Sequence, residues 1–237
     1  MSLQDRVSLI TGATGGLGQV AARTLAGEGV KLALVSTNVL KLEQLAAGLG
    51  LPAGQVLIHT ADLTGASAAA QTAAAVDAAF GRVDIWLHLV GGWTGGRSLA
   101  ESNPDDLDNM LRQHAWTTLY LAQSLVPRLV SNGWGRIITI SSPSALNPPA
   151  RGGLYAAAKA AQDALMLTLA KELTGTGVTA NVLQVRTIDA GHERDRARSE
   201  KNAAWTTPEE ISAAILYLCG DAAQMINGAR IPLYGAV

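Results

Sequence analysis

The sequence predicts a single-domain, doubly wound α/β fold, a parallel sheet with helices on both faces, spanning all 237 residues. Three observations carry that expectation. Short β-branched and aliphatic runs alternate with longer Ala- and Leu-rich segments along the whole chain, the signature of βαβ units. Several of the strand segments are almost wholly apolar rather than alternating, as strands buried on both faces are. A glycine-rich turn also follows the first strand directly and opens a helix.

The elements follow in order. The first strand, Val7–Ile10, leads through the glycine turn into a helix over Gly16–Glu28. A second strand, Lys31–Val35, precedes a helix over Val39–Gly48, and a third, Val56–His59, precedes the Ala-rich helix Ser67–Phe80, whose small side chains allow close packing on the sheet. The fourth strand is Ile85–Val90. Asn103-Pro104-Asp105-Asp106 then supplies a cap, a proline and acids near a positive helix end, opening a helix over Asp105–Val130. Strand Arg136–Ile140 and helix Gly152–Thr174 come next, then strand Thr179–Val185. Thr207-Pro208-Glu209-Glu210 repeats the capping grammar before helix Pro208–Cys219, and Arg230–Leu233 is the last strand.

Composition narrows the function classes. A net charge of −1 argues against a nucleic-acid partner, which needs a concentrated excess of Lys and Arg. With 48% hydrophobic and 16% charged residues the chain has material for a core and no disorder signature. A single Cys219 rules out a disulfide framework and fits a reducing compartment. No apolar run approaches a membrane span, and the start Met1–Arg6 lacks the order of a signal peptide. The expected setting is cytoplasmic, with a small molecule as partner, no membrane and no metal site.

The turn after strand one reads Thr11-Gly12-Ala13-Thr14-Gly15-Gly16-Leu17-Gly18. Glycines there let the backbone turn sharply and approach a pyrophosphate held at the helix start. The expected cofactor contacts of this loop are Gly12, Thr14, Gly15, Gly16, Leu17 and Gly18. At the end of strand two a carboxylate would read the ribose 2′-hydroxyl, but the chain has Ser36, Thr37 and Asn38. Nothing there repels a 2′-phosphate, and small hydroxyls donate to one, so NADP(H) is favoured slightly over NAD(H). No Arg stands there either.

Tyr155 and Lys159 lie four residues apart, on one helix face. A free phenol has a pKa of about 10 and is a poor base at neutral pH; a neighbouring ammonium favours the phenolate and brings it nearer to working range. Ser142, just past the strand Arg136–Ile140, is placed to hold a substrate oxygen beside the phenol.

With these residues in view, the sequence resembles the short-chain dehydrogenase/reductase family over essentially its whole length. The resemblance rests on the TGATGGLG loop, Asp62 in Ala61-Asp62-Leu63, Ser142, Tyr155, Lys159, Asn181 and the ending Asn227-Gly228-Ala229-Arg230-Ile231-Pro232. It implies a Rossmann sheet of seven strands in the order 3-2-1-4-5-6-7, with Asp62 and Leu63 near the adenine and Val90 and Gly91 beside the cofactor. It further implies hydride transfer between a nicotinamide and a carbonyl or alcohol, with Tyr155 as general acid/base and Ser142 orienting the carbonyl. Lys159 would bind the nicotinamide ribose, and the backbone of Ile188 would meet the carboxamide. A short substrate lid around residues 187–207 and a homo-oligomer, tetramer or dimer, built through Asp105–Val130 and Gly152–Thr174 complete what it implies.

The sequence departs from the family at three places. The Asn-Asn-Ala-Gly usual after strand four reads His88-Leu89-Val90-Gly91, the helix asparagine of the catalytic tetrad aligns with His114, and the Pro-Gly after strand six reads Val185-Arg186. His114 is accordingly a candidate catalytic residue that relays a proton, with a helix histidine bonded to a backbone carbonyl as the alternative. His88 is assigned to support of the cofactor-side loop. The stretches around Trp93, Trp116 and Trp205 resemble the dihydropteridine reductase branch, which makes a flat heterocycle the second substrate candidate, with Trp93 and Trp205 as stacking surfaces. A dinucleotide-binding regulator without catalysis is the alternative from another class. The alternating charges of Glu193–Lys201 read as a solvated, mobile loop.

Overall fold

The computed structural model describes residues 3–235. The first two residues of the Met1–Arg6 start and the outermost residues of the 1–237 domain therefore lie outside the described part. Seven parallel strands form one sheet: β1 (Val7–Thr11), β2 (Lys31–Ser36), β3 (Val56–Thr60), β4 (Ile85–His88), β5 (Gly135–Ser141), β6 (Val178–Gln184) and β7 (Arg230–Pro232). Their order is β3-β2-β1-β4-β5-β6-β7. The helices are α1 (Gly16–Gly27), α2 (Val39–Leu49), α3 (Ala66–Phe80), α4 (Pro104–Leu111), α5 (Thr117–Ser131), α6 (Gly153–Glu172), α7 (Glu193–Arg196) and α8 (Pro208–Cys219).

The continuous apolar character of the strands has a direct explanation. Successive strand residues point to opposite faces, and here both faces are covered. On one, Ile10, Leu32, Leu34, Ile85 and Leu87 meet Leu17 and Leu25 of α1, Leu42 of α2 and Ile211 and Ile215 of α8. On the other, Leu9, Ala33, Val35 and Trp86 meet Ala69 and Ala73 of α3, Leu121 and Leu125 of α5 and Met166 of α6. With both faces covered, no regular alternation of apolar and polar residues develops; the polar strand residues, such as Thr11 and His88, are buried too.

Helix starts follow the local grammar. The Asn38 side chain accepts the Lys41 N–H at 3.0 Å to cap α2, and Thr207 with Glu210 forms a reciprocal capping box at α8. Among the described residues no helix is long and apolar enough to cross a membrane.

Three segments differ from the sequence expectation. The single helix expected over Asp105–Val130 is two helices joined by a π turn, Arg112–Trp116, where the wider backbone ring bulges and re-aims the side chain of His114. The fourth strand ends at His88 rather than Val90, because Leu89 and Val90 turn out to line the cleft described below. The charge run Glu193–Lys201 is not a simple loop: its first four residues form α7, because the Asp189 carboxylate accepts the N–H groups of Glu193 and Arg194, each at 2.8 Å.

Candidate active site

The strand order reverses between β1 and β4, whose chain ends open a crevice on one side of the sheet. Two adjoining lobes lie there, of about 470 and 400 Å³. Gly12, Gly15, Leu89, Val90 and Gly91 line both. The first lobe adds Thr14, Ser36, Thr37, Asp62 and Leu63; the second adds Gly16, Leu17, Gly18, Trp93, His114, Tyr155, Lys159 and Ile188. Most of the nucleotide and reacting residues expected from the sequence thus share one crevice, although Ser142 lines neither lobe.

The glycine loop fits a dinucleotide pyrophosphate. Gly12 has φ +72°, and a Cβ there would sit 2.8 Å from the Leu89 carbonyl oxygen. A Cβ on Gly18 would overlap the Gly12 carbonyl, so the loop can close tightly only with glycine at both positions. No side chain caps the start of α1 and its first turn holds no acid, which leaves the positive helix end for an anion. Gly16 approaches the segment after β6 so closely that a Cβ would lie 2.9 Å from Ala190 Cβ.

In the first lobe the hydroxyls of Thr14 and Ser36 are 2.6 Å apart. Asp62 accepts from Thr64 N–H at 3.0 Å and Thr64 Oγ1 at 2.8 Å, and these bonds hold its carboxyl below the usual carboxylate range. Asn38 is engaged as the α2 cap and does not line the lobe, in contrast to its neighbours Ser36 and Thr37. Gln113 and Thr117, which the sequence reading missed, do line it; they lie in and just after the π turn, which nothing local in the sequence marks.

Tyr155 and Lys159 project from α6 into the second lobe. The expected depression of the phenol pKa is reversed in sign. Burial pushes Tyr155 up, with a hydrogen bond to Ser142 acting the other way. Burial is also what brings Lys159 down to about 7, and its Nζ stands 5.9 Å from the Tyr155 ring centroid. The sequence shows the spacing of this pair but not its desolvation. Ser142 is buried at the end of β5, and its Oγ accepts the Ser144 N–H at 3.2 Å.

The two histidines are interior residues. His114 is 1% exposed; its Nε2 lies 3.0 Å from the Gly92 carbonyl oxygen and its ring meets the Tyr155 ring edge-on at 5.7 Å. This is the backbone-carbonyl arrangement, and burial lowers its pKa to about 3. A charged imidazole therefore has no part at neutral pH, and any relay through His114 runs through the neutral ring. Gly91 is matched to it, since a Cβ there would overlap the imidazole. His88 bridges Thr11 Oγ1 at 3.0 Å and Thr117 Oγ1 at 3.2 Å, joining β1 to α5 beneath the cofactor-side loop; burial also lowers its pKa to about 3.

Of the three tryptophans singled out in the sequence, Trp93 lines the second lobe at 66% exposure. Trp116 instead stacks on Tyr120 at 5.5 Å. Neither it nor Trp205 lines either lobe, and the Trp205 carbonyl accepts from Arg194 Nη1 at 2.7 Å. Arg194 also pairs with Glu210 of α8 at 2.7 Å, so it ties α7 to the start of α8. Ile188 bridges to Thr206 in strand-like fashion.

A family model described as short chain dehydrogenase matches residues 6–201. The D-threitol dehydrogenase of Mycolicibacterium smegmatis is 31% identical over 98% of this chain and 93% of its own length. Two solved structures share the fold, each at 23% identity and a TM-score of 0.88. One is a 3-ketoacyl-(acyl-carrier-protein) reductase from Brucella melitensis complexed with NADH, covering 98% of both chains. The other is the L-sorbose reductase of Gluconobacter frateurii complexed with NADPH and L-sorbose, covering 100% of both.

Proposed function

The chain belongs to the short-chain dehydrogenase family and is an NAD(P)-dependent oxidoreductase, and from that premise we propose that it interconverts a small carbonyl compound and its alcohol with Tyr155 as general acid/base. The observation that carries this reading is the convergence of Tyr155, Lys159 and the glycine loop on one lobe, with Ser142 acting to lower the phenol against the burial that raises it. The nicotinamide, when bound, supplies or accepts the hydride. Tyr155 is held protonated by burial, which is the form that donates to a carbonyl oxygen as it becomes alkoxide-like. Ser142 adds a second donor, and both bonds strengthen as charge develops. Lys159 is the residue for the nicotinamide ribose, Asp62 and Leu63 for the adenine end, and the backbone of Ile188 for the carboxamide. Val90 and Gly91 form the wall between them.

The test is to follow NADPH and NADH absorbance against a panel of ketones, hydroxyketones, quinones and quinonoid dihydropterin. Consumption of cofactor with one member supports the enzyme; tight cofactor binding without turnover on any member favours the regulator. The exposed Trp93 at the mouth of the reacting lobe favours a flat heterocycle as the second substrate candidate.

NADP(H) is the favoured cofactor because the Thr14–Ser36 hydroxyl pair and Thr37 stand where a carboxylate would repel a 2′-phosphate. Thr37→Asp is expected to weaken NADPH about tenfold relative to NADH, since one unfavourable charge pair near the surface costs on the order of 1–2 kcal/mol. Kd values for both cofactors by fluorescence check this, and an unchanged ratio counts against the preference.

A homo-oligomer is supported by the exposed Ala157 and Ala160 on α6 and the half-exposed Trp116 stacked on Tyr120. Small residues permit close helix approach, and an aromatic pair left in water is costly. Sedimentation equilibrium is expected to give a dimer or tetramer; a monomer at micromolar concentration rejects the assembly.

A further inference from the structure

Lys159 carries three N–H donors and is 5% exposed, so its bonds decide where the ammonium points. One hydrogen goes to the Ile140 carbonyl at the end of β5, at 2.8 Å. A second goes to Oε1 of Gln162 at 2.9 Å. Gln162, one helix turn further along α6, is wholly buried beside the apolar contacts of Met166 and Leu169. A leucine would fill such a place at no polar cost, whereas a buried amide is tolerated only when bonded on both ends. Its other end donates from Nε2 to Thr118 Oγ1 at 3.2 Å, and that hydroxyl donates to the His114 carbonyl at 2.7 Å.

The donors therefore run one way, from the Lys159 ammonium through Gln162 and Thr118 to the π turn. From there the His114 ring reaches the Gly92 carbonyl next to Trp93 at 3.0 Å. The chain of bonds, through the backbone of His114, thus connects the Lys159 ammonium to the loop that carries the exposed Trp93.

We propose that Gln162, backed by Thr118, is a positioning residue for the reaction: it fixes the direction of the Lys159 ammonium and sets its proton affinity. This rests on the reading of Lys159 as the ribose-binding partner of Tyr155. A neutral acceptor favours the charged form of its donor, so Gln162 offsets part of the burial that lowers Lys159. The other groups facing the ammonium do not substitute for it. Tyr155 and Asp163 share its helix; Asp163 raises Lys159 from a distance but is bonded to Arg230 of β7 at 3.1 Å. His88 of β4 and His114 of the π turn are both neutral near pH 7. From β5 the Ile140 carbonyl accepts from it.

The test reads Lys159 directly. In protein labelled with ¹⁵N-lysine, the Lys159 Nζ resonance, assigned through its loss in Lys159→Met and detected through the ε-methylene protons, is titrated against pH. Gln162→Leu is expected to move the midpoint down by about one pH unit, a tenfold change in the proton equilibrium. Gln162→Glu moves it up, and Thr118→Val produces a smaller downward shift. The alkaline limb of kcat for carbonyl reduction moves with the midpoint in each case. Gln162→Met, close to glutamine in length and shape, replaces the leucine variant if that one does not fold. A residue that merely fills space alters the melting temperature and leaves the midpoint in place. An unmoved midpoint in both the apolar and the Glu variants overturns the proposal. The titration needs no turnover, so an inactive wild-type protein with shifted midpoints rejects the assigned function while leaving the Gln162 assignment standing.

Discussion

Tyr155→Phe is expected to lower kcat for carbonyl reduction by about 10²–10⁴-fold, the range for a lost general acid, while the Kd for NADPH changes by less than about twofold. The substitution removes one oxygen and keeps the ring that packs edge-on against His114 at 5.7 Å, so the lobe retains its shape. The phenol is the group that burial keeps protonated, and no other side chain with a transferable proton stands beside Ser142 in the described site. Lys159 is bonded inward to Ile140 and Gln162, and His114 is neutral with its Nε2 at the Gly92 carbonyl. Single-turnover absorbance of NADPH separates the chemical step from product release. A Phe variant within fivefold of wild type in that step removes Tyr155 from the acid/base role.

Mild acid is expected to destabilise the protein, and the two interior histidines are the reason. His88 and His114 are held at about 3 in the folded state, against an ordinary value of 6.5. Above pH 6.5 both are neutral in either state and cost nothing. As the pH falls below 6.5 the unfolded chain binds two protons that the folded chain refuses until the pH nears 3. Stability then declines by about 1.4 kcal/mol per pH unit for each histidine. For the pair this amounts to about 4 kcal/mol between pH 6.5 and 5, set against a typical total of roughly 5–15 kcal/mol for a domain. Lys159, lowered to about 7, acts in the same sense one window higher, its penalty relieved only as the pH rises from 7 towards 10. Urea unfolding at pH 7.0 and 5.0 measures the decline, and His88→Asn or His114→Asn is expected to remove about half of it. Stabilities equal within 1 kcal/mol at the two pH values would show that the imidazoles reach water.

Much of this molecule was legible from local chemistry. Strands buried on both faces read as unbroken apolar runs because Leu9 and Ile10, or Trp86 and Leu87, have cores on opposite sides. Caps such as Asn38 and the Thr207–Glu210 box act within one helix turn, and so are visible in short stretches of sequence. The glycine spacing at 12, 16 and 18 follows from backbone approach over a few residues. The illegible parts depend on other segments. The π turn at Arg112–Trp116 carries no local mark, and with it went Gln113, Thr117 and the aim of His114. Trp116 and Trp205 look like rim residues by position, yet they stay out of the cleft lining, whereas Trp93 lines it.

The sequence by itself determined the fold class, the nucleotide loop and the Ser142, Tyr155 and Lys159 set, because each depends on residue type and on spacing along one strand, turn or helix. Only the tertiary structure decided the proton states of that set. Spacing places Lys159 beside Tyr155, and in water that ammonium would favour the phenolate. Burial penalises charge on both groups, raising the phenol and lowering the ammonium, and it turns Gln162, one helix turn beyond the Tyr155–Lys159 pair, into a side-chain acceptor for Lys159 beside the Ile140 carbonyl. Desolvation is a property of what surrounds a side chain in three dimensions, and no pattern along the chain records it.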